Sequence, residues 1–159
     1  MGHLSGRRGR DIREQVDAAR RICFDTNALI YLLNRTPPYF AVVESILRPV
    51  RDGVKQAVVS VITEIELLVR PIREETPWEI QRIEVMLDAE DINVVELGRE
   101  VARAAARVRA KTGLRLADAT IVATAMYANC DVIVGNDARC AQRVRDIPYV
   151  LLDELVKER

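Results

Sequence analysis

Two aspartates stand where an apolar segment of the chain ends. Asp25 follows the apolar residues of R-I-C-F, and Asp137 follows V-I-V-G-N. A turn at such a point is served equally well by Gly, Pro or Ser, so an aspartate there needs a further reason. Binding a metal ion through oxygen is one reason, and capping the following helix is the simpler alternative for Asp137.

Three more carboxylates occupy comparable positions. Glu64 and Glu66 follow the apolar segment A-V-V-S, and Asp118 opens a helical pattern in L-A-D-A-T-I-V-A-T-A. On a helix of about 3.6 residues per turn, Glu64 and Glu66 point about 200° apart, so only one of them can face a given site. The helix dipole alone favours an aspartate at the position of Asp118 by about 0.3–1 kcal/mol, so this residue taken singly fits either role.

Short apolar segments alternate along the chain with longer amphipathic ones, which is typical of strands connected by helices. The predicted strands are Ile22–Asp25, Ala57–Ser60, Asn93–Glu96, Val132–Gly135 and Tyr149–Leu151. The predicted helices are Ala28–Asn34, Tyr39–Arg51, Ile62–Val69, Pro77–Asp88, Arg99–Lys111, Ala117–Ala128 and Ala138–Arg145. Boundary residues such as Pro71 fall between these patterns. The order predicts an α/β fold of three layers, with helices on both faces of a mostly parallel sheet.

Parallel strands end at the same edge of a sheet, and ligands bind beyond that edge where the strand order reverses. The topology therefore brings Asp25, Asp137 and the segment 60–66 toward one site. Carboxylates in contact repel each other by about 4 kcal/mol per pair at an effective dielectric constant near 20, so the site needs a positive charge or protonated acids.

A divalent cation is the simplest counter-charge. His3 is the only histidine, and Arg139 is the only basic residue in the turns of Asp25 and Asp137. A set of oxygen ligands favours Mg²⁺ or Mn²⁺ over zinc. Such a site suits the attack of water on a phosphodiester, which indicates a nuclease or a phosphatase.

The composition describes one domain with a hydrophobic core: 159 residues, 49% hydrophobic and 30% charged. Basic and acidic residues number 24 each, so the net charge of zero predicts neither a nucleic acid nor a membrane as partner. The cysteines Cys23, Cys130 and Cys140 form no C-x-x-C pair, which argues against a disulfide framework and a zinc site. Because no apolar run reaches about 20 residues, we expect a cytoplasmic protein without a membrane span.

Residues 1–20 are polar and rich in arginine. We expect them to form an N-terminal extension, partly disordered, with one or two helical turns near Ile12 and Val16 and most of its length outside the core. Residues 21–159 are expected to form the single folded domain.

Four segments together resemble the PIN domain, in particular the VapC-like ribonuclease toxins. They are R-I-C-F-D-T-N-A-L-I, S-V-I-T-E-I-E-L-L, L-A-D-A-T-I-V-A-T-A and V-I-V-G-N-D, and the similarity spans about residues 21–152. The resemblance implies a PIN-like fold and selects Glu66 over Glu64. The implied catalytic and metal-binding acids are Asp25, Glu66, Asp118 and Asp137, and the implied supporting residues are Thr26, Asn27 and Thr63. Asn136, beside the fourth acid, either supports the site or shapes the turn, and we favour the turn.

The same resemblance implies in-line hydrolysis of single-stranded RNA with Mg²⁺ or Mn²⁺. Asp25, Glu66 and Asp118 would hold a first ion, and Asp137 would help to place a second ion or the water. Asn27 would orient Asp25 or the water. The resemblance also implies a small antitoxin protein as partner and a homodimer.

One position departs from the family pattern. The family often has Thr or Ser two residues before the fourth acid, and Gly135 stands there in this chain. A hydroxyl group that would stabilise a metal-bound water is therefore missing from that position, while the fourth acid is present.

RNA binding near an acidic site requires cations around it. The candidate RNA-binding residues are Arg103, Arg107, Arg115 and Arg139. The alternative for these residues is an ordinary solvated face.

Two other functions stay open: an RNA-processing PIN nuclease without a toxin role, and a binding module that has the same fold but no catalytic activity.

Overall fold

The computed structural model describes the backbone of residues 5–158 and the side chains of residues 12–158. Over this part of the chain, five strands alternate with nine helices. The strands are β1 (Arg21–Phe24), β2 (Gln56–Ser60), β3 (Ile92–Val95), β4 (Val132–Gly135) and β5 (Tyr149–Leu151). The helices are α1 (Ser5–Ala18), α2 (Thr26–Leu33), α3 (Tyr39–Arg51), α4 (Val61–Arg73), α5 (Pro77–Leu87), α6 (Arg99–Thr112), α7 (Leu116–Tyr127), α8 (Ala138–Arg143) and α9 (Leu152–Val156).

The five strands form one sheet in the order β3-β2-β1-β4-β5. Every neighbouring pair is parallel. Strand β1 lies at the centre of the sheet. Strands β2 and β3 follow in order on one side of it, and β4 and β5 follow in order on the other side. The predicted α/β fold is confirmed, and the strand order reverses at β1.

Helices cover both faces of the sheet, and the side chains of each central strand alternate between two cores. In β1, Ile22 and Phe24 pack in one core and Cys23 packs in the other, and all three side chains are fully buried. Valines and isoleucines of β4 alternate in the same way. This period of two is the pattern of a strand buried on both faces, as the middle layer of three must be.

Two predicted boundaries near β1 are wrong by one or two residues. The strand ends at Phe24 rather than at Asp25, and α2 begins at Thr26 rather than at Ala28. The reason is that Asp25 has an extended backbone and caps α2, with its Oδ1 accepting a hydrogen bond from the Thr26 N–H at 2.7 Å. A capping aspartate allows the helix to start directly after the strand.

The predicted break at Pro71 is also wrong, because α4 runs past it to Arg73. A proline inside a helix removes one backbone hydrogen bond. Here it lies close to the end of the helix, its side chain is buried, and its carbonyl accepts a hydrogen bond from the Thr76 N–H at 3.0 Å. The remaining predicted strands and helices are present, and none of their ends shifts by more than two residues.

Helix α1 is longer than the one or two turns that the sequence predicts. Val16 at its end and Ala19 just after it are buried in the same core as Phe24. The Lys55 ammonium donates hydrogen bonds to the carbonyls of Val16 and Asp17 at 2.8 and 2.7 Å. The segment before β1 is therefore attached to the core by its last residues. Among the helices of residues 5–158, none has the length and apolarity that a membrane crossing requires.

Candidate active site

The candidate site lies at the carboxyl ends of β1, β2 and β4, where the strand order reverses. Asp25 directly follows β1, and Asp137 comes two residues after β4. Glu66 lies on α4, which begins directly after β2, and Asp118 lies in the first turn of α7. These segments are far apart in the chain, and the sheet brings them to one edge.

Asp25 is buried, with 6% of its surface exposed. Its Oδ1 accepts the hydrogen bond of the Thr26 N–H, and its Oδ2 accepts one from the Tyr149 hydroxyl at 2.5 Å. Burial raises the pKa of Asp25 from 3.8 to about 6; the hydrogen bonds from Tyr149 and Thr26 lower this pKa, and the charges of Asp118 and Glu66 raise it. The surroundings of Asp25 therefore favour the protonated form of its carboxyl group.

Thr26 connects the turn of Asp25 to Glu66. Its hydroxyl donates a hydrogen bond to Glu66 Oε1 at 2.7 Å and lies 3.0 Å from the hydroxyl of Thr63. The contact between the two threonines is buried, whereas Glu66 is exposed and its hydrogen bond with Thr26 is only partly buried. Through that hydrogen bond, Glu66, the acid selected by the resemblance, contacts the Asp25 turn. Glu64 lies on a different face of α4.

We predict that Thr26→Val lowers the free energy of unfolding by about 1–2 kcal/mol, because valine keeps the shape but leaves Glu66 and Thr63 without this partner. The measurement is urea unfolding of the metal-free protein. Thr120→Val is the matched control: Thr120 is also buried, but its hydroxyl bonds only to the Leu116 carbonyl of its own helix. Equal losses in the two variants would contradict a special contact at Thr26.

Asp118 and Asp137 lie close together on the other side of the site, and a cysteine joins them. One potential ligand atom from each of Asp118, Asp137 and Cys140 lies within 4.8 Å of the others. Asp137 also caps α8, since its Oδ1 accepts hydrogen bonds from the N–H groups of Arg139 and Cys140 at 2.8 and 3.1 Å. The capping role considered for Asp137 is thus present, and its Oδ2 is not used by the cap.

Asp118 does not cap α7. It is the third residue of the helix, where the dipole still favours a negative charge, and the cap position is held by Arg115. The Arg115 guanidinium forms an ion pair with Asp118 Oδ2 at 3.3 Å. Because the Arg115 side chain is 75% exposed, this pair contributes little to stability. Sequence reasoning treated Arg115 only as an RNA contact and missed it as a counter-charge.

Cys140 was also missed, because the sequence reasoning set the cysteines aside. It comes three residues after Asp137, a spacing that places its N–H and its side chain beside that carboxylate at the start of α8. Burial and the negative charge of Asp137 raise the pKa of the Cys140 thiol. In the metal-free protein the thiol therefore stays protonated at neutral pH and is a weaker ligand than the carboxylates of Asp118 and Asp137.

The two predicted supporting asparagines connect turns. Asn27 Oδ1 accepts a hydrogen bond from the Asn136 N–H at 3.0 Å, which joins the Asp25 turn to the Asp137 turn. The Asn136 side chain donates to the Tyr31 hydroxyl at 3.2 Å and accepts from the Asp153 N–H at 2.9 Å. Among residues 12–158, the groups that donate hydrogen bonds to the Asp25 carboxylate are the Thr26 N–H and the Tyr149 hydroxyl. A role of Asn27 in orienting Asp25 or the bound water stays a prediction.

The four predicted arginines lie in different settings. Arg103 and Arg107 lie on the exposed side of α6. Arg115 forms the ion pair with Asp118, and the Arg139 guanidinium donates to the Gly113 carbonyl at 3.4 Å. Two of the four are therefore next to the acids, and their contact with RNA stays a prediction.

The residues fit a hard divalent cation. Within residues 12–158, no lysine or arginine forms an ion pair with Asp25, although Asp25 is buried and faces the charges of Asp118 and Glu66. The potential ligand atoms that lie within 4.8 Å of one another are carboxylate oxygens of Asp118 and Asp137 and the Cys140 thiol, and Asp25 adds a carboxylate that faces the charge of Asp118. Mg²⁺ and Mn²⁺ prefer such oxygen ligands and would supply the missing positive charge.

Comparisons with known proteins agree with this geometry. The PIN domain sequence model matches residues 22–146. A toxin–antitoxin complex from Klebsiella pneumoniae contains a similar chain, with a TM-score of 0.63, 24% identity, and coverage of 82% of this chain and 97% of that one. VapBC2 from Rickettsia felis, bound to a promoter DNA fragment, gives a TM-score of 0.64 at 15% identity, covering 81% of this chain and 96% of that one.

FitAcB from Neisseria gonorrhoeae gives a TM-score of 0.60 at 19% identity, covering 82% of this chain and 97% of that one. No curated protein sequence matches the chain significantly. The three solved structures share the fold, and the sequence match covers most of the chain, including all four candidate acids. The chain belongs to the PIN domain family.

Proposed function

We propose that this protein is a metal-dependent endoribonuclease that hydrolyses phosphodiesters of single-stranded RNA with Mg²⁺ or Mn²⁺. The observation that carries this proposal is the position of the four acids at one edge of the sheet: Glu66 contacts the Asp25 turn through Thr26, and ligand atoms of Asp118 and Asp137 lie within 4.8 Å of each other. Asp25 is buried, faces the charges of Asp118 and Glu66, and has no cationic partner within residues 12–158. Membership of the PIN domain family supports a nuclease.

Each acid has a proposed role. Asp25, Glu66 and Asp118 hold a first ion, and Asp137 helps to place a second ion or the attacking water. An ion held by these acids would supply a lowered pKa for the attacking water and positive charge for the leaving oxygen, and in-line hydrolysis would give a 3′-hydroxyl and a 5′-phosphate. Thr26 holds Glu66 in place through the 2.7 Å hydrogen bond to Oε1.

RNA carries a negative charge on every phosphate, so the acidic site needs cations around it. We propose that Arg103, Arg107, Arg115 and Arg139 contact the phosphates. Arg115 and Arg139 are the better supported pair, because the Arg115 side chain pairs with Asp118 and the Arg139 N–H donates to Asp137. The ion pair of Arg115 with Asp118 would then exchange for a phosphate contact when RNA binds.

An RNA cleavage assay with purified protein tests the enzyme proposal. We expect cleavage of single-stranded RNA in Mg²⁺ or Mn²⁺, none in EDTA, and a fall of at least about 100-fold in Asp118→Asn. Glu64→Gln is the control, since Glu64 carries the same charge two residues from Glu66 but lies on a different face of α4. RNA binding without cleavage would contradict the proposal and favour the non-catalytic binding module.

Metal binding is tested separately through thermal stability. A ligand at 100 times its Kd stabilises the folded state by about 2.7 kcal/mol, which raises the Tm of a protein of this size by roughly 5–10 °C. We expect this shift with Mn²⁺ in the unaltered protein and in Glu64→Gln, and a much smaller one in Asp118→Asn. Equal shifts in all three would exclude Asp118 as a ligand.

We further propose that the protein is the toxin of a VapBC-type pair, that it binds a small antitoxin protein, and that it acts in the cytoplasm as a homodimer. The support is the similarity of its fold to a chain from a toxin–antitoxin complex and to a chain from VapBC2. Induced expression should arrest bacterial growth, and expression of Asp118→Asn should not. Unimpaired growth together with RNA cleavage in vitro would favour an RNA-processing nuclease instead.

A further inference from the structure

Tyr149 connects two of the four acids, although nothing in its sequence position indicates a role in the site. It begins β5, at the edge of the sheet next to β4. Its hydroxyl donates a hydrogen bond to Asp25 Oδ2 at 2.5 Å and accepts one from the Asp137 N–H at 3.2 Å. One phenol group therefore bridges the turn after β1 and the turn after β4.

Gly135 makes room for this phenol group. A Cβ atom at residue 135 would overlap the Tyr149 hydroxyl oxygen and would lie 2.9 Å from Tyr149 Cζ and 2.7 Å from Asp25 Cβ. Gly135 is not among the glycines with positive φ, which are Gly53 and Gly113. The glycine is thus required by space and not by its backbone conformation.

The two hydrogen bonds to Asp25 occupy one lone pair on each carboxylate oxygen. Oδ1 accepts from the Thr26 N–H and Oδ2 accepts from Tyr149. A carboxylate offers about four lone-pair positions, so each oxygen keeps one for a cation. Both donors are held by the sheet edge, so the direction of the remaining lone pairs is fixed before any ion arrives.

Tyr149 stays a hydrogen-bond donor at neutral pH. Burial and the negative charge of Asp25 raise the pKa of its phenol well above the ordinary value of 10.0. Among residues 12–158, Tyr149 is the one side chain whose hydroxyl contacts Asp25. Its removal would therefore leave Oδ2 without a side-chain donor.

We propose that Tyr149, in the space left by Gly135, is a positioning residue that orients Asp25 and the Asp137 turn for binding a divalent cation. This inference rests on the proposed function, since it assumes that Asp25 binds the ion. It also gives a physical reason for the departure at Gly135: the hydroxyl group missing from that position is supplied from the neighbouring strand by Tyr149.

The test is a titration of the purified full chain with Mn²⁺, followed by electron paramagnetic resonance of the free ion. Loss of a hydrogen-bonding partner behind a metal ligand typically costs about 10- to 100-fold in affinity. We expect Tyr149→Phe to weaken Mn²⁺ binding at least about 10-fold. Tyr31→Phe is the matched control, because the Tyr31 hydroxyl bonds to Asn136 in the same region without contacting an acid, and it should change the affinity less than about twofold.

A kinetic measurement separates positioning from a general structural role. If Tyr149 acts through the metal, cleavage by Tyr149→Phe should fall at low Mn²⁺ and return toward that of the unaltered protein at saturating Mn²⁺. Gly135→Ala should weaken Mn²⁺ binding at least as much as Tyr149→Phe, since the added methyl group displaces the phenol.

The outcomes are distinct. Unchanged Mn²⁺ affinity in Tyr149→Phe or in Gly135→Ala, with normal binding by the unaltered protein, overturns this inference and leaves the nuclease proposal standing. Absence of Mn²⁺ binding by the unaltered protein overturns both.

Discussion

Asp25→Asn is expected to reduce RNA cleavage by at least about 1000-fold. Loss of a partner behind a ligand costs about 10- to 100-fold, and loss of a central ligand should cost more. Asparagine keeps the size of the side chain and an oxygen that can accept from the Thr26 N–H, so the cap of α2 remains. The measurement is the initial rate of cleavage in saturating Mg²⁺, with Asp88→Asn, an exposed aspartate after α5, as the control.

The same variant should be more stable than the unaltered protein when no metal is present. At pH 7 the folded chain holds Asp25 ionised although its pKa is raised from 3.8 to about 6. A pKa shift of this size corresponds to a cost of up to about 3 kcal/mol, which a neutral asparagine avoids. Loss of activity with a raised Tm would identify a functional carboxylate; loss of activity with a lowered Tm would point to misfolding instead.

Mn²⁺ affinity is expected to fall about tenfold from pH 7 to pH 5. A group with a pKa near 6 is about nine-tenths ionised at pH 7 and about one-tenth at pH 5, and only the ionised form binds the cation. Tyr149 and Thr26 donate to Asp25, while Asp118 and Glu66 repel its charge. Isothermal titration calorimetry at pH 5, 6 and 7 measures the affinity, and a constant value would contradict the role of Asp25.

In the metal-free protein, the contribution of Asp25 to stability should decrease as the pH rises, whereas the Mn²⁺ affinity increases. Because the folded state holds the proton of Asp25 more tightly than the unfolded state does, the contribution of Asp25 to stability decreases as the pH rises from about 4 to 6. The difference in unfolding free energy between the unaltered protein and Asp25→Asn isolates this contribution, since other acids cancel. A difference that stays constant over this range would show that burial does not shift the pKa of Asp25.

Local sequence patterns predict much of this fold. The alternation of apolar strands with amphipathic helices predicts both the three layers and the parallel sheet, because strands of such a sheet are buried on two faces. The errors occur where a local signal is ambiguous. Pro71 predicts a break, and only its buried position near the end of α4 explains why the helix continues.

The acids of the site are predictable for the same reason, since parallel strands end at one edge. Their partners are not, because Tyr149, Thr26 and Asn27 make contacts with residues that are distant in the chain. Tyr149 contacts Asp25 only because the strand order places β5 next to β4, which brings the phenol beside Gly135 and Asp25. The pairing of β4 with β5 cannot be predicted from local patterns in a single sequence.

The central claim is that Asp25, Glu66, Asp118 and Asp137 form one binding site for a divalent cation. The most direct measurement is a crystal of the full chain soaked in Mn²⁺, with diffraction collected at the manganese absorption edge. We expect an anomalous peak within about 2.0–2.4 Å of oxygen atoms from Asp25 and at least one other of these acids. A peak at a different place, or none at a Mn²⁺ concentration that supports RNA cleavage, would contradict it.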